Sequence, residues 1–211
     1  TKAPQELIDL LDLVPIDHLE LLISLLETER GTTTRRILRD LIQKYATDNI
    51  EYGLKKISHL EGDVAADLFA SLVEARPEQS MELVRSAFKR SDTAILKKAL
   101  DILEELKDPA PVTEELYNLL SSNSEDIRIQ AMKLLAKIRD LKVFVRIFER
   151  VKRSDYSIRE ADVMGSILYQ LNPKAVEREM LDWIKPRGLF SFKKVSVNKQ
   201  QKWVAISALA L

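Results

Sequence analysis

Six cations recur at related positions along the chain: Arg35, Arg36, Lys97, Lys98, Arg128 and Arg159, with Lys202 continuing the series. Each stands near the start of a predicted helix that is second in its pair, so on a stacked array they would form a basic ladder along one concave face. Such a ladder suits carboxylates of an acidic peptide or a phosphate backbone. The same placement allows a second reading, in which each cation pairs with an acid at a turn, as Asp92, Asp126 and Asp155 invite.

A second cluster lies near the C-terminal end. Between 185 and 202 stand six bases and no acid, with Phe190, Phe192 and, just beyond, Trp203 interleaved. The candidate partner-binding residues are Lys185, Arg187, Phe190, Phe192, Lys193, Lys194, Lys199 and Lys202. Basic residues mixed with aromatics suit single-stranded nucleic acid or anionic surfaces. Alternatively, Leu189, Phe190 and Phe192 fold back as a plug between hairpins and leave the lysines in water.

Material for acid-base or metal chemistry is sparse. The two histidines, His18 and His59, lie in different predicted units, and there is no cysteine. His18 falls opposite the apolar stripe of its helix and reads as a surface residue. No glycine-rich phosphate loop and no nucleophile elbow occurs. No catalytic residue, metal ligand or cofactor is assigned.

The elements that must carry these residues are helices. Gly31 and Gly62 are 31 residues apart, and Pro15 to Pro77 and Pro111 to Pro173 are each 62 apart, twice that step. Between the breakers run amphipathic stretches with helical spacing, such as Ile95, Leu96, Ala99, Leu100, Leu103 and Leu106 opposite Lys97, Lys98, Asp101, Glu104 and Glu105. Asp92 is placed to cap that helix, and Asp155 to start a later one. Trp183 and Trp203 fall on apolar helix faces and read as core. The expectation is an all-α fold, an α-solenoid of about six helical hairpins in one domain, 1–211. A capping helix occupies 1–14, and hairpins occupy 15–46, 47–76, 77–109, 110–140, 141–172 and 173–211, the last with a long basic loop at 185–199.

Composition agrees with a helical, globular chain: 45% hydrophobic, 31% charged, five Gly and seven Pro in 211 residues. Thirty-three bases cancel 33 acids, so no global field favours nucleic acid. The charge is nevertheless polarised: 1–29 holds seven acids against Lys2, while 141–211 holds 14 bases against 7 acids. The longest mainly apolar stretch, Trp203 to Leu211 with Ser207 inside it, is nine residues, far below the roughly 20 that span a bilayer. Absence of cysteine fits a reducing compartment, hence a cytoplasmic expectation. A start at Thr1 and a stop at Leu211 inside an apolar helix suggest a fragment of a larger, bacterial protein, whose cut end with Val204, Ile206, Leu209 and Leu211 invites self-association.

In pattern the chain resembles the HEAT repeat family in its short bacterial form of about 30 residues. Asp126, Arg128 and Ala131 match its turn acid, early base and small residue. Asp155, Arg159 and Ala161 match with altered spacing, and Asp92, Lys98 and Ala99 more loosely. Arg35 and Arg36 lack a preceding turn acid, and Asp63 lacks a following base. The resemblance implies a right-handed superhelix with second helices lining the concave side, and a non-enzymatic protein-protein interaction scaffold. Relatives with similar repeats include a bacterial alkylpurine DNA glycosylase and a bilin lyase family, so a nucleic-acid binder or DNA glycosylase is the alternative. The iron-dependent deoxyhypusine hydroxylases are disfavoured, because their paired His-Glu motif is absent.

Overall fold

The computed structural model describes residues 3–14, 17–47, 49–106, 108–153, 155–184 and 197–210. Among these are thirteen α-helices, two short 3-10 turns and no strand, so the chain is all-α. Among the described residues no helix is long and apolar enough to cross a membrane. The chain divides into two compact units, Thr1–Glu105 and Leu106–Leu211.

The first unit holds α1 (Gln5–Asp12), α2 (His18–Thr28), α3 (Thr32–Ala46), α4 (Ile50–Ile57), α5 (Gly62–Ala75), α6 (Ser80–Ala87) and α7 (Thr93–Leu106). Helices α2 and α3 pack as one pair and α4 and α5 as the next, and α3 lies against α5. Their apolar stripes close the interior: Leu26, Ile42, Leu68, Leu72, Ile95 and Leu103 are almost wholly removed from water. Each such side chain contributes roughly 1.5–3 kcal/mol relative to exposure. Gly62 opens α5 with a left-handed φ of 64°, a conformation costly for any residue bearing a Cβ. Its N–H donates to Asp92 Oδ2 (2.8 Å), while Asp92 Oδ1 accepts from the Ala94 and Ile95 N–H groups. Asp92 thus caps α7 as anticipated and ties its first turn to the start of α5.

The second unit holds α8 (Thr113–Leu119), α9 (Glu125–Ile138), α10 (Leu141–Arg153), α11 (Ile158–Leu171), α12 (Pro173–Ile184) and α13 (Lys199–Leu209). The pairs α8/α9, α10/α11 and α12/α13 pack internally, and α11 lies between α9 and α13. One boundary differs from expectation. Helix α11 starts at Ile158 rather than at Asp155, because Ser157 and Glu160 form a reciprocal capping box that fixes the N-terminus there. A second capping box, Asn198 with Gln201, starts α13.

Hydrogen bonds between successive helix pairs recur at a narrow range of separations. In the first unit Arg76 donates to Thr47 O (29 residues), Arg90 to Leu60 O (30) and Gln43 to Glu74 O (31). Lys44 and Tyr45 reach Asp12 at separations of 32 and 33. In the second unit Ser157 Oγ donates to Glu125 (32) and Arg159 to Asp126 (33). Within each unit most polar contacts between neighbouring helix pairs thus fall at a near-constant register, while Trp203 and Ser207 reach Asp162 at separations of 41 and 45.

Candidate functional site

Of the C-terminal basic cluster, Lys185, Arg187, Phe190, Phe192, Lys193 and Lys194 lie outside the described residues. Lys199 and Lys202 are exposed in the first turn of α13. The ladder cations sit on α3, α7, α9 and α11, but their surroundings differ. Arg36 and Lys97 are exposed and Lys98 half-buried, and none of the three pairs with an acid among the described residues. Arg35, Arg128 and Arg159 are all engaged.

Arg35 and Arg128 use the same three donor nitrogens in the same way, although Arg128 grips both oxygens of its carboxylate and Arg35 only one. The Arg128 Nε and Nη2 groups donate to Glu160 Oε1 and Oε2, both at 2.8 Å, while Nη1 donates to Ser122 O at 2.7 Å. Arg35 Nε and Nη2 donate to Asp67 Oδ2 at 3.0 and 2.5 Å, while Nη1 donates to Glu29 O at 3.3 Å. In each case the fork clamps the second helix of the next pair and ties the carbonyl six residues upstream, near the turn of its own pair. Planar, two-pronged donation to a carboxylate is what a guanidinium does better than an ammonium. Arg159 is looser: it is 69% exposed and lies 3.5 Å from Glu125 and 3.4 Å from Asp126.

Glu160 is the centre of the tighter clamp, with no exposed surface. Beyond Arg128 it accepts from Arg150 Nη2 (3.3 Å) and from the Ser157 backbone N–H (3.1 Å). Burial alone would raise its proton affinity; the hydrogen bonds from Arg128 and from the Ser157 backbone outweigh that and hold the carboxyl below its ordinary value. Such a group is a poor proton acceptor near neutral pH, and its chemistry is that of a fastener. Neither Glu160 nor Asp67 stands at a turn, so the search for turn acids missed them. Two signals were available: the Ser157-x-x-Glu160 capping pattern, and the shared separation of 32 residues from an arginine.

Both tryptophans depart from a core placement. Trp203 is 39% exposed, and its Nε1 donates to Asp162 Oδ1 at 2.7 Å; Ser207 Oγ donates to the same oxygen at 2.5 Å. An indole has one polar edge, so a ring lying along α11 can bury its apolar side and still satisfy its N–H at the surface. Trp183 is half-buried and joins Phe148 and Phe144 in a row of rings with centroids 5.9 Å apart. His18 is half-buried too, stacked on Tyr45 at 4.7 Å, and its Nε2 donates to Leu11 O at 2.7 Å. It therefore fastens α2 to the residues before it, while His59 is exposed.

Helix α10 carries an open mixed surface. Leu141 is 66% and Val145 47% exposed. Beside them Lys142, Arg146 and Arg153 are exposed, and none pairs with a carboxylate among the described residues. Arg146 instead lies over the Tyr117 ring at 5.7 Å. Among the described residues no three His, Asp or Glu side chains gather as a metal site would require. No family model, curated protein or solved structure matches this chain.

Proposed function

We propose that this chain is a HEAT-like α-solenoid whose work is to hold another protein, without catalysing a reaction. The observation that carries the reading is the near-constant separation, 29 to 33 residues, of most side-chain bonds between neighbouring helix pairs within each unit, the bonds from α13 to Asp162 being longer at 41 and 45. A closed globule has no reason to repeat one offset, whereas an array in which each hairpin contacts only its neighbours must. Arg35, Arg128 and Arg159 are committed to carboxylates, which removes half of the basic ladder from any phosphate backbone and favours a protein partner over nucleic acid.

Two measurements test this. Solution scattering of the chain as a monomer should give a radius of gyration well above the about 17 Å of a compact globule of this length. A value at the compact limit would remove the solenoid. For the partner, a protein retained by the chain should be released when Arg187, Lys193 and Lys194 are reversed to glutamate. Undiminished retention would take that segment out of the binding surface, and steeply salt-dependent binding to duplex DNA would favour the nucleic-acid alternative instead.

A further inference from the structure

Two surfaces of this chain are left with apolar groups in water and charges of opposite sign. Helix α1 buries none of its residues, and its open side combines Leu10, 59% exposed, with Glu6 and Asp9. Leu13, 80% exposed, follows directly. The neighbouring α2 adds Leu21 and Leu25, 38% and 44% exposed, with Glu20 and Glu27. On α10 the exposed Leu141 and Val145 are bordered by Lys142, Arg146 and Arg153, with Glu149 as the one acid on that helix. Scattered single apolar residues need no explanation, but leucines paired with like charges along one helix face do.

The geometry points to a second copy of this chain as the occupant: the acidic α1–α2 face of one molecule docks on the basic α10 face of another. Three facts favour a second copy over a foreign partner. Both halves of the contact are on one chain, each with exposed leucine or valine and a majority of one charge sign, Lys56 standing 3.8 Å from Glu20 on the first and Glu149 among the cations of the second. The 33 bases and 33 acids leave no net charge, so no overall repulsion opposes self-contact. The ends are polarised in the sense the contact needs, with seven acids in 1–29 and 14 bases against 7 acids in 141–211. A contact of this kind is heterologous, joining different faces of the two molecules. It goes beyond the scaffold reading and does not depend on it, since a monomer could still hold a partner.

Sedimentation velocity across a wide concentration series tests the inference. At about 0.01 M ionic strength, where charges act over about 30 Å, the mass should climb above the monomer; at about 1 M, where they act over about 3 Å, it should return to it. Arg146→Glu with Arg153→Glu should weaken association by about tenfold or more, because like charges would then face each other. Glu6→Lys with Asp9→Lys should do the same. All four side chains are exposed, so circular dichroism should show unchanged helix content. Mixing the two variants restores opposite charges across one contact and should yield a complex that neither forms alone. A wild-type monomer throughout the low-salt series would overturn the inference. So would association that survives the Arg146 and Arg153 reversals, or a mixture that stays monomeric.

Discussion

Arg128 and Glu160 stand 32 residues apart and lock α9 to α11 through two parallel hydrogen bonds of 2.8 Å, and Arg35 meets Asp67 at the same separation in the first unit. The two clamps differ in burial. Glu160 has no exposed side-chain surface, while Asp67 keeps 23% of its own. Arg128→Met would leave the buried Glu160 only the bonds from Arg150 and the Ser157 N–H, and should cost about 3 kcal/mol, the lower end for breaking a buried ion pair. Arg35→Met, beside the more open carboxylate, should cost about 1 kcal/mol, because water can take over part of the lost solvation. Denaturant titration of the two variants checks the order. Equal costs would show that burial of the acid does not set the strength of the clamp.

The depressed proton affinity of Glu160 makes the same clamp acid-sensitive. A carboxyl lowered from 4.5 in the folded chain stabilises the fold fully above that value, and the stabilisation disappears as pH falls through the folded-state value. Stability should therefore drop on acidification below 4.5, and Glu160→Gln should flatten that part of the profile. The Gln variant keeps the shape but removes the charge paired with Arg128 and Arg150 together with the titration, so it should be less stable at neutral pH and the readout is the slope of the acid limb. An unchanged acid limb in Glu160→Gln would assign the drop to other carboxylates.

These two residues also mark the limit of what the sequence makes legible. Helical class, the amphipathic stripes and the capping role of Asp92 rest on neighbours within a turn or two, so spacing exposes them. Glu160 and Asp67 lie far along the chain from their arginines, so a local rule points at most to the capping role of Glu160 and not to either clamp. Trp203 departs from the core for a related reason: a helical wheel places the ring on an apolar side but does not separate the centre of that side from its edge. There the indole N–H reaches Asp162, 41 positions away. Asp155 reads as the start of its helix because acids favour first turns, yet Ser157 is the N-cap, since Glu160 can return the bond.

At alkaline pH the informative group is Tyr156. Burial pushes its phenol up to about 12 from 10.0, and the hydroxyl donates to Val151 O at 3.1 Å. A raised folded-state value means the contribution is complete below 10.0 and is lost as pH rises through about 12. Tyr156→Phe should cost about 1 kcal/mol at neutral pH, the usual net worth of one such bond. The gap between wild type and variant should close as pH climbs towards the upper value. A gap that stays constant would mean the phenol ionises alike in folded and unfolded chains.

The seat of α13 depends on the absence of a single methyl group. A Cβ built on Gly165 of α11 would lie 2.6 Å from Val204 O and 2.8 Å from Ala208 N, both backbone atoms of α13. Backbone cannot rotate away, so Gly165→Ala must push the helix off its seat, and overpacking of this kind costs about 1–3 kcal/mol. Gly53 offers the matching control. Its added Cβ would meet Leu72 Cδ2 at 2.6 Å, but that atom is the end of a side chain, which can give way more readily than backbone. Gly53→Ala should therefore be the milder change, although the bare distances are equal. The displacement has its own readout, because moving α13 breaks the bond from Trp203 Nε1 to Asp162 and wets the ring. Gly165→Ala should shift tryptophan emission to the red and speed amide exchange in α13, while Gly53→Ala leaves both unchanged. If Gly165→Ala alters neither signal, the close approach of α11 and α13 is not what holds the last helix in place.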